Sequence, residues 1–404
     1  MSRPRRGTLV LVLALAGGLA LVRALAQPSG SPILATEPLH LDPRGEVDVA
    51  LDSRHGRFFI INGGVVQTFD TRTGARVYMA QVGTAYLQGM NGPGLTVDAR
   101  AGQVFVPNLV DDAVGVLNAR TGRVVRTIPV DHQPDEVTFD AWSGRLFVGS
   151  TADWTLTMLD GRTGARLRTI PFAAGDLPGQ LVVDPRLDHG FAADYAGQVA
   201  LFDTRTGALL RRVTPAGGSL ILHLAIDAPA ARVLGLVEGR ADVVLLDARS
   251  GLRLRSILVG EAPNAIAVDA RWGHAFVSDD GTGRVYMLGV RCGRVLRAVA
   301  VGAAPVTAID ARRQRVIVAS AAGVTVLDAR SGAVLDRAPL ALITPKIAVD
   351  TQTGHIFVVS VGGAWRPPDP WRWLPAALRR RLPVAFPPLR TRPARLYVLD
   401  ERRL

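Results

Sequence analysis

NAIAVDARWGHAFVSDDGTGRVYMLGVRCGRVLRAVAVGAAP (264–305) is the stretch that decides the fold. It holds four short apolar runs, rich in β-branched side chains and alternating in polarity. Gly, Asp and Pro separate the runs, so the runs read as strands and the separators as turns. The unit recurs along the chain. An Asp closes the first run at Asp52, Asp98, Asp140, Asp184, Asp227, Asp269, Asp310 and Asp350, at spacings of 46, 42, 44, 43, 42, 41 and 40 residues. The third run ends in a second signature: FDTRTG (69–74), LNARTG (117–122), LDGRTG (159–164), FDTRTG (202–207), LDARSG (246–251) and LDARSG (327–332), degraded to LGVRCG (288–293) in the sixth copy. In such a turn the Asp side chain accepts from a backbone N–H two residues on, and the Gly supplies the positive φ a tight hairpin needs. Repeated Asp and Gly are therefore read as turn chemistry, not as calcium loops.

Four antiparallel strands every ~42 residues make the blade of a β-propeller. Eight copies predict an all-β, eight-bladed propeller; seven blades is the alternative if one copy is degenerate. The last copy has only three strands and ends at LYVLDERRL (396–404), while ILATEPLHLD (33–42) stands alone before the first. The spare strand is expected to pair with 395–400 and close the ring, which removes a sheet edge.

The quoted units resemble the YVTN β-propeller repeat family over about 33–361 and 395–404. The resemblance implies exported bacterial or archaeal proteins that bind something across one face. It is specific for fold and poor for function.

The two ends differ from the body. Of 404 residues, 47 are basic and 35 acidic, a net charge of +12. Residues 1–26 contribute +4, residues 365–404 contribute +7, and 27–364 are balanced to +1. With no basic stripe along the body, nucleic acid is not an expected partner. One Cys excludes an internal disulfide and Cys-cluster metal or haem sites. Arg3, Arg5 and Arg6 precede an apolar run at 8–22, and Ala24-Leu25-Ala26 offers the small residues of a cleavage site. Residues 1–26 are expected to be a signal peptide or a short membrane anchor. The propeller domain, 33–404, is then secreted or extracytoplasmic, or tethered to a membrane through its N-terminus.

An insertion, GGAWRPPDPWRWLPAALRRRLPVAFPPLRTRPA (362–394), interrupts the last copy. It carries Trp365, Trp371, Arg372, Trp373 and the triplet Arg379, Arg380, Arg381. Trp and Arg dominate binding hot spots, and Arg clusters pair with carboxylates and phosphates. By strand alternation the insertion lies on the top face, beside the channel mouth. It is expected to dock an anionic partner: a glycan, an acidic protein or a lipid surface.

Four residues before each repeat Asp lies the top of an inner strand. Asp48, Glu136, Gln180, His223 and Lys346 are the polar residues there, and His132, Asp135 and Asn264 lie beside them. These eight are the candidate ligand site, since the channel mouth is the concave site of a propeller. A metal-dependent hydrolase or lyase, lactonase-like, is the alternative, and it would need several of these groups to converge with a position open for water. His55, His189, His274 and His355 recur at bottom-face turns and read as turn chemistry. Quinone-dependent dehydrogenase propellers place a Trp four residues after the turn Gly. Here those positions are Tyr78, Arg126, Arg168, Arg211, Arg255, Arg297 and Asp336. The Arg column suits a solvated outer strand that resists edge pairing. No cofactor, catalytic residue or resident metal is therefore expected, and the preferred reading is a binding module.

Overall fold

The computed structural model describes residues 31–42, 47–83, 94–172, 178–194, 196–365 and 390–404. Each turn forms for a local reason. At the end of Val65–Asp70 the Asp70 carboxylate accepts the N–H groups of Arg72 and Thr73 and the Thr73 hydroxyl at 3.0, 3.0 and 3.2 Å. Gly74, at φ 72°, then turns the chain back into Arg76–Gln81. Any Cβ-bearing residue is strained in that backbone region. The same device serves Asp160, Asp203, Asp247 and Asp328.

Eight four-stranded antiparallel sheets result. Seven are meanders in chain order, from Val47–Asp52 in blade one to Val334–Pro339 in blade seven. The eighth is ordered Pro345–Asp350, His355–Ser360, Arg395–Asp400 and Ile33–Pro38. Thr36 pairs with Tyr397 and Pro38 with Arg395, so the early strand closes the last blade. Inner strands pack against their neighbours all the way round, that of blade eight against that of blade one. The count is eight, not seven. Among the described residues no helix is long and apolar enough to cross a membrane.

The core lies between blades rather than within them. Eight clusters of buried side chains each join two neighbours. At the closing seam Phe58 of blade one stacks on Phe357 of blade eight, ring centroids 4.8 Å apart. Polar side chains reinforce the seams. Arg126, Arg255 and Arg297 donate to carbonyls of Gly161, Cys292 and Ser331 in the next blade, at 3.0, 3.1 and 3.2 Å. The Arg column thus ties blades together, a correction to its reading as an edge guard alone: a long side chain on the outer strand reaches the neighbouring turn. Ring nitrogens of His189, His274 and His355 sit 2.9, 3.0 and 2.7 Å from the carbonyls of Ala248, Ala329 and Thr71, again one blade on. These three are latches, and only His55 stays within its own turn, on Asp52 at 2.7 Å.

Strand alternation sends the first-to-second and third-to-fourth turns to one face, the bottom. The second-to-third loops and blade-to-blade connections go to the top. Two residues after the end of the third strand stands an exposed Arg in every blade: Arg72, Arg120, Arg162, Arg205, Arg249, Arg291, Arg330 and Arg402. The matching position after the first strand holds Arg54, Arg100, Arg186, Arg271 and Arg312, also exposed. The turn carboxylates accept backbone N–H groups, those of Asp70, Asp160, Asp203, Asp247 and Asp328 while staying partly exposed. The described top loops instead carry Asp111, Asp112, Asp131, Asp153, Glu238, Glu261 and Asp280 against Arg240. A body neutral along its length is polar through its thickness.

Candidate ligand site at the channel mouth

The inner strands of blades three to six are bulged at their top ends. In blade three Pro134 faces Ser150 and Glu136 faces Gly149, leaving Asp135 extra; in blade six Asn264 is the extra residue between Pro263 and Ala265. Blades four and five shift likewise near Gln180 and His223, whereas blades one, seven and eight pair regularly. A bulge re-aims the side chains around it. A signal for this went unread in the sequence: a Pro stands six residues before the repeat Asp in blades three, four and six (Pro134, Pro178, Pro263) but five before it in blades seven and eight (Pro305, Pro345).

Asp48, Glu136, His223 and Lys346 come from blades one, three, five and eight, and they sense one another electrostatically. All four are half-buried, touched by channel solvent while protein surrounds them on the other sides. Burial raises the Asp48 carboxyl above its ordinary range; the Lys346 ammonium and the N–H groups of Val49 and Leu95 oppose that rise. Burial, then the neighbouring charges of Asp48 and Asp135, push Glu136 well above the usual carboxylate range. Burial and then Lys346 hold the His223 ring down to about 4, against an opposing contact with the Asn264 backbone. His223 is therefore neutral at neutral pH, and Glu136 gives up its proton reluctantly. Glu136 meets the blade-one charge because blade two offers no side chain in the way. A Cβ on Gly94 would stand 2.9 Å from Glu136 Oε2.

Gln180 is half-buried on blade four. Asn264 donates weakly to the Pro305 carbonyl at 3.4 Å, and its Oδ1 has no hydrogen-bond partner among the described residues. Asp135 is buried at the bulge beside Glu136. His132 stands apart from this group. It is exposed, its backbone N–H and ring both hold Asp153 at 2.8 Å, and Asp112 lies 4.0 Å from its other ring nitrogen. That hydrogen bond to Asp153, and then its charge, raise the imidazole's pKa. His132 ties a connection to two top-face hairpins and does not belong with the axial residues. Among the described residues, no three His, Cys, Asp or Glu side chains are placed to share a metal ion.

The insertion has a structured root. Gly363–Trp365 pairs with Arg390–Arg392, Ala364 opposite Thr391. This ribbon keeps the register of the hairpin below it, in which Ser360 faces Arg395. Between them Val361 donates instead to Ile343, and Pro393 has no N–H to give. The second-to-third hairpin of blade eight thus runs on upward from the top face. Its neighbour in the same blade, Pro345–Asp350, bears Lys346 opposite Val359. Trp371, Arg372, Trp373, Arg379, Arg380 and Arg381 lie outside the described residues, as does the Trp365 side chain.

No protein-family model matches the chain. No curated protein sequence matches it either. Solved structures do match in shape. The dihydro-heme d1 dehydrogenase NirN in complex with DHE is similar over 74% of this chain at 14% identity and a TM-score of 0.61, and this chain spans 66% of that one. The computationally designed Ika8 protein is similar over 80% of this chain and 95% of its own, at 16% identity and a TM-score of 0.60. BamB from Moraxella catarrhalis covers 81% of this chain and 96% of its own, at 14% identity and a TM-score of 0.56. At these identities the likeness is one of fold, and the fold is an eight-bladed, all-β propeller.

Proposed function

We propose that this protein is an exported propeller of the YVTN-repeat type that binds a carboxylated or phosphorylated glycan across its top face. The single observation behind this reading is the root of the insertion: a ribbon in register with blade eight, rising beside the strand that bears Lys346. In sequence, the insertion rooted on that face carries seven Arg against one Asp, with three Trp. Arg pairs with carboxylate or phosphate, and Trp stacks on sugar rings. The acidic top loops repel an anion, so capture of charge is assigned to the arm. The channel mouth offers a neutral His223, the amides of Gln180 and Asn264, and the Glu136 carboxyl, which burial holds well above the usual carboxylate range. Such groups both donate and accept, which suits hydroxyls better than it suits a second anion.

The test replaces 363–393 with a short Gly-Ser turn and measures retention on a polyuronate matrix, with neutral dextran as control. The thermal midpoint is expected to stay within a few degrees, because closure entropy changes slowly with loop length. Salt-sensitive retention is expected to disappear. A trimmed protein that still binds polyuronate with the parent's salt dependence would refute the arm's role.

A further inference from the structure

We propose a second binding surface on the opposite face: the arginine-studded bottom of the disc seats on an anionic phospholipid bilayer. This goes beyond the glycan reading and does not rest on it. The bottom face repeats one Arg per blade at one turn position, and five more at the other turn. Among the described residues, Arg402 alone of these has a carboxylate within ion-pair distance, Asp400 at 3.0 Å. The rest are exposed, Arg271 and Arg330 with their guanidinium groups over the Trp272 ring. The neighbouring turn carboxylates are engaged by backbone N–H groups and, at Asp70, Asp160 and Asp247, by Arg57, Arg145 and Arg232. Guanidinium forks match phosphate oxygens.

The arrangement favours a plane. Eight equivalent turns set the charges around a ring rather than along a groove, so a flat array of phosphates can meet many at once. At the blade-three position the Arg is replaced by Trp142, 77% exposed, a residue suited to the headgroup boundary. Clefts of about 400 and 430 Å³ open on this face. Arg54 and Arg72 border one at the seam of blades eight and one; Trp142 and Arg205 border the other between blades three and four. Each is large enough for a phosphate headgroup. Finally, the chain joins the ring here. The Pro32 carbonyl accepts from the Asp400 N–H at 2.8 Å, beside Arg402. Ile33–Pro38 therefore enters the ring from the basic side. A membrane anchor at 1–26, the alternative to a signal peptide, and a basic patch are together the two signals that hold a protein stably on a membrane.

The test uses the full chain. Its one thiol, Cys292, is exposed in the bottom turn of blade six, next to Arg291. A fluorophore on Cys292 reports approach to vesicles of phosphatidylglycerol and phosphatidylcholine carrying a lipid-bound quencher. A C292S/A321C variant places the same label on the top hairpin of blade seven. The Cys292 label is expected to be quenched and the top-hairpin label not, with binding lost on phosphatidylcholine alone. The variant R120Q/R162Q/R205Q/R249Q changes exposed side chains only and is expected to weaken the phosphatidylglycerol-dependent part roughly fivefold per arginine. The arm-trimmed protein is expected to bind vesicles as the parent does. Quenching at the top-hairpin label, or binding indifferent to phosphatidylglycerol, would overturn the proposal. So would duplex DNA displacing the protein at equal phosphate concentration, which would assign the face to nucleic acid.

Discussion

The bottom of the disc is one turn repeated, and the top is eight different loops. Below, Asp or Asn, then Arg, then Thr or Ser, then Gly return in nearly every third-to-fourth hairpin, and the glycines lie between φ 61° and 80°. Above, the connections run from the two-residue turn at Gly63-Gly64 to the insertion at 362–394. The difference has a physical cause. The bottom turns also serve as seams, receiving Arg and His side chains from the previous blade, so their backbone cannot drift without losing inter-blade hydrogen bonds. The top loops carry only individual ties of this kind, such as His132 to Asp153, and not a repeated one. They are free to bulge, lengthen and hold unusual charges, as binding loops on a rigid scaffold do.

Both faces depend on a closed ring, so the largest expected effect is deletion of Ile33–Pro38. This exposes the edge of Arg395–Asp400 and strips part of the blade eight–blade one core. Cooperative thermal unfolding by circular dichroism is expected to be lost. A deletion variant that melts at the parent temperature would show that another segment closes the ring.

Two glycines separate the faces more sharply. Gly207 sits in a bottom turn at φ 68°, and a Cβ added there would stand 2.8 Å from the Arg168 side chain of the previous blade. G207A is expected to cost about 1–3 kcal/mol, from backbone strain and the displaced arginine. G94A at the channel mouth meets only the tip of Glu136 and is expected to cost roughly 0.5 kcal/mol or less, while moving the Glu136 titration. Chemical denaturation of both variants measures the contrast; equal losses would erase it.

The faces also titrate in opposite directions. In the bottom turn of blade three the Thr163 N–H lowers the Asp160 carboxyl from 3.8, outweighing burial. A depressed acid contributes stability that is full above 3.8 and lost as pH falls through the folded value. Glu136 is raised above 4.5, so its contribution is full below that value and lost as pH rises through the folded one. D160N should therefore flatten the acid limb of the stability curve, and E136Q should lift its neutral-to-alkaline side. The Asp160 effect is the smaller, because that carboxylate is largely solvated. Thermal midpoints against pH decide the signs.

The smallest expected effect is the most specific. Lys346 helps hold His223 down to about 4. In K346M the imidazole is expected to titrate higher, still short of 6.5 because burial remains the larger cause. An NMR titration that leaves His223 unmoved would separate blades five and eight into independent sites.

The sequence alone determined the blade count, the strand order within a blade and the closing strand. Each rests on local patterning: alternation, a turn carboxylate, a positive-φ glycine, at a period short enough to read directly. It also placed Asp48, Glu136, His223 and Lys346 at equivalent strand ends, because inner positions of every blade point to one axis. Tertiary structure decided the rest. It set His132 apart, since its partners Asp153 and Asp112 lie on hairpins. It turned His189, His274, His355 and the outer Arg column into inter-blade ties, contacts between residues some 35 to 60 positions apart in most cases, and 284 at the closing seam. It also separated charges that cancel along the chain. An Asp and the Arg two residues later sum to zero in a composition, but the turn folds one onto backbone N–H groups and leaves the other in solvent. Net charge adds along a sequence; an electric field adds in space, and only the folded ring puts eight such arginines on one side.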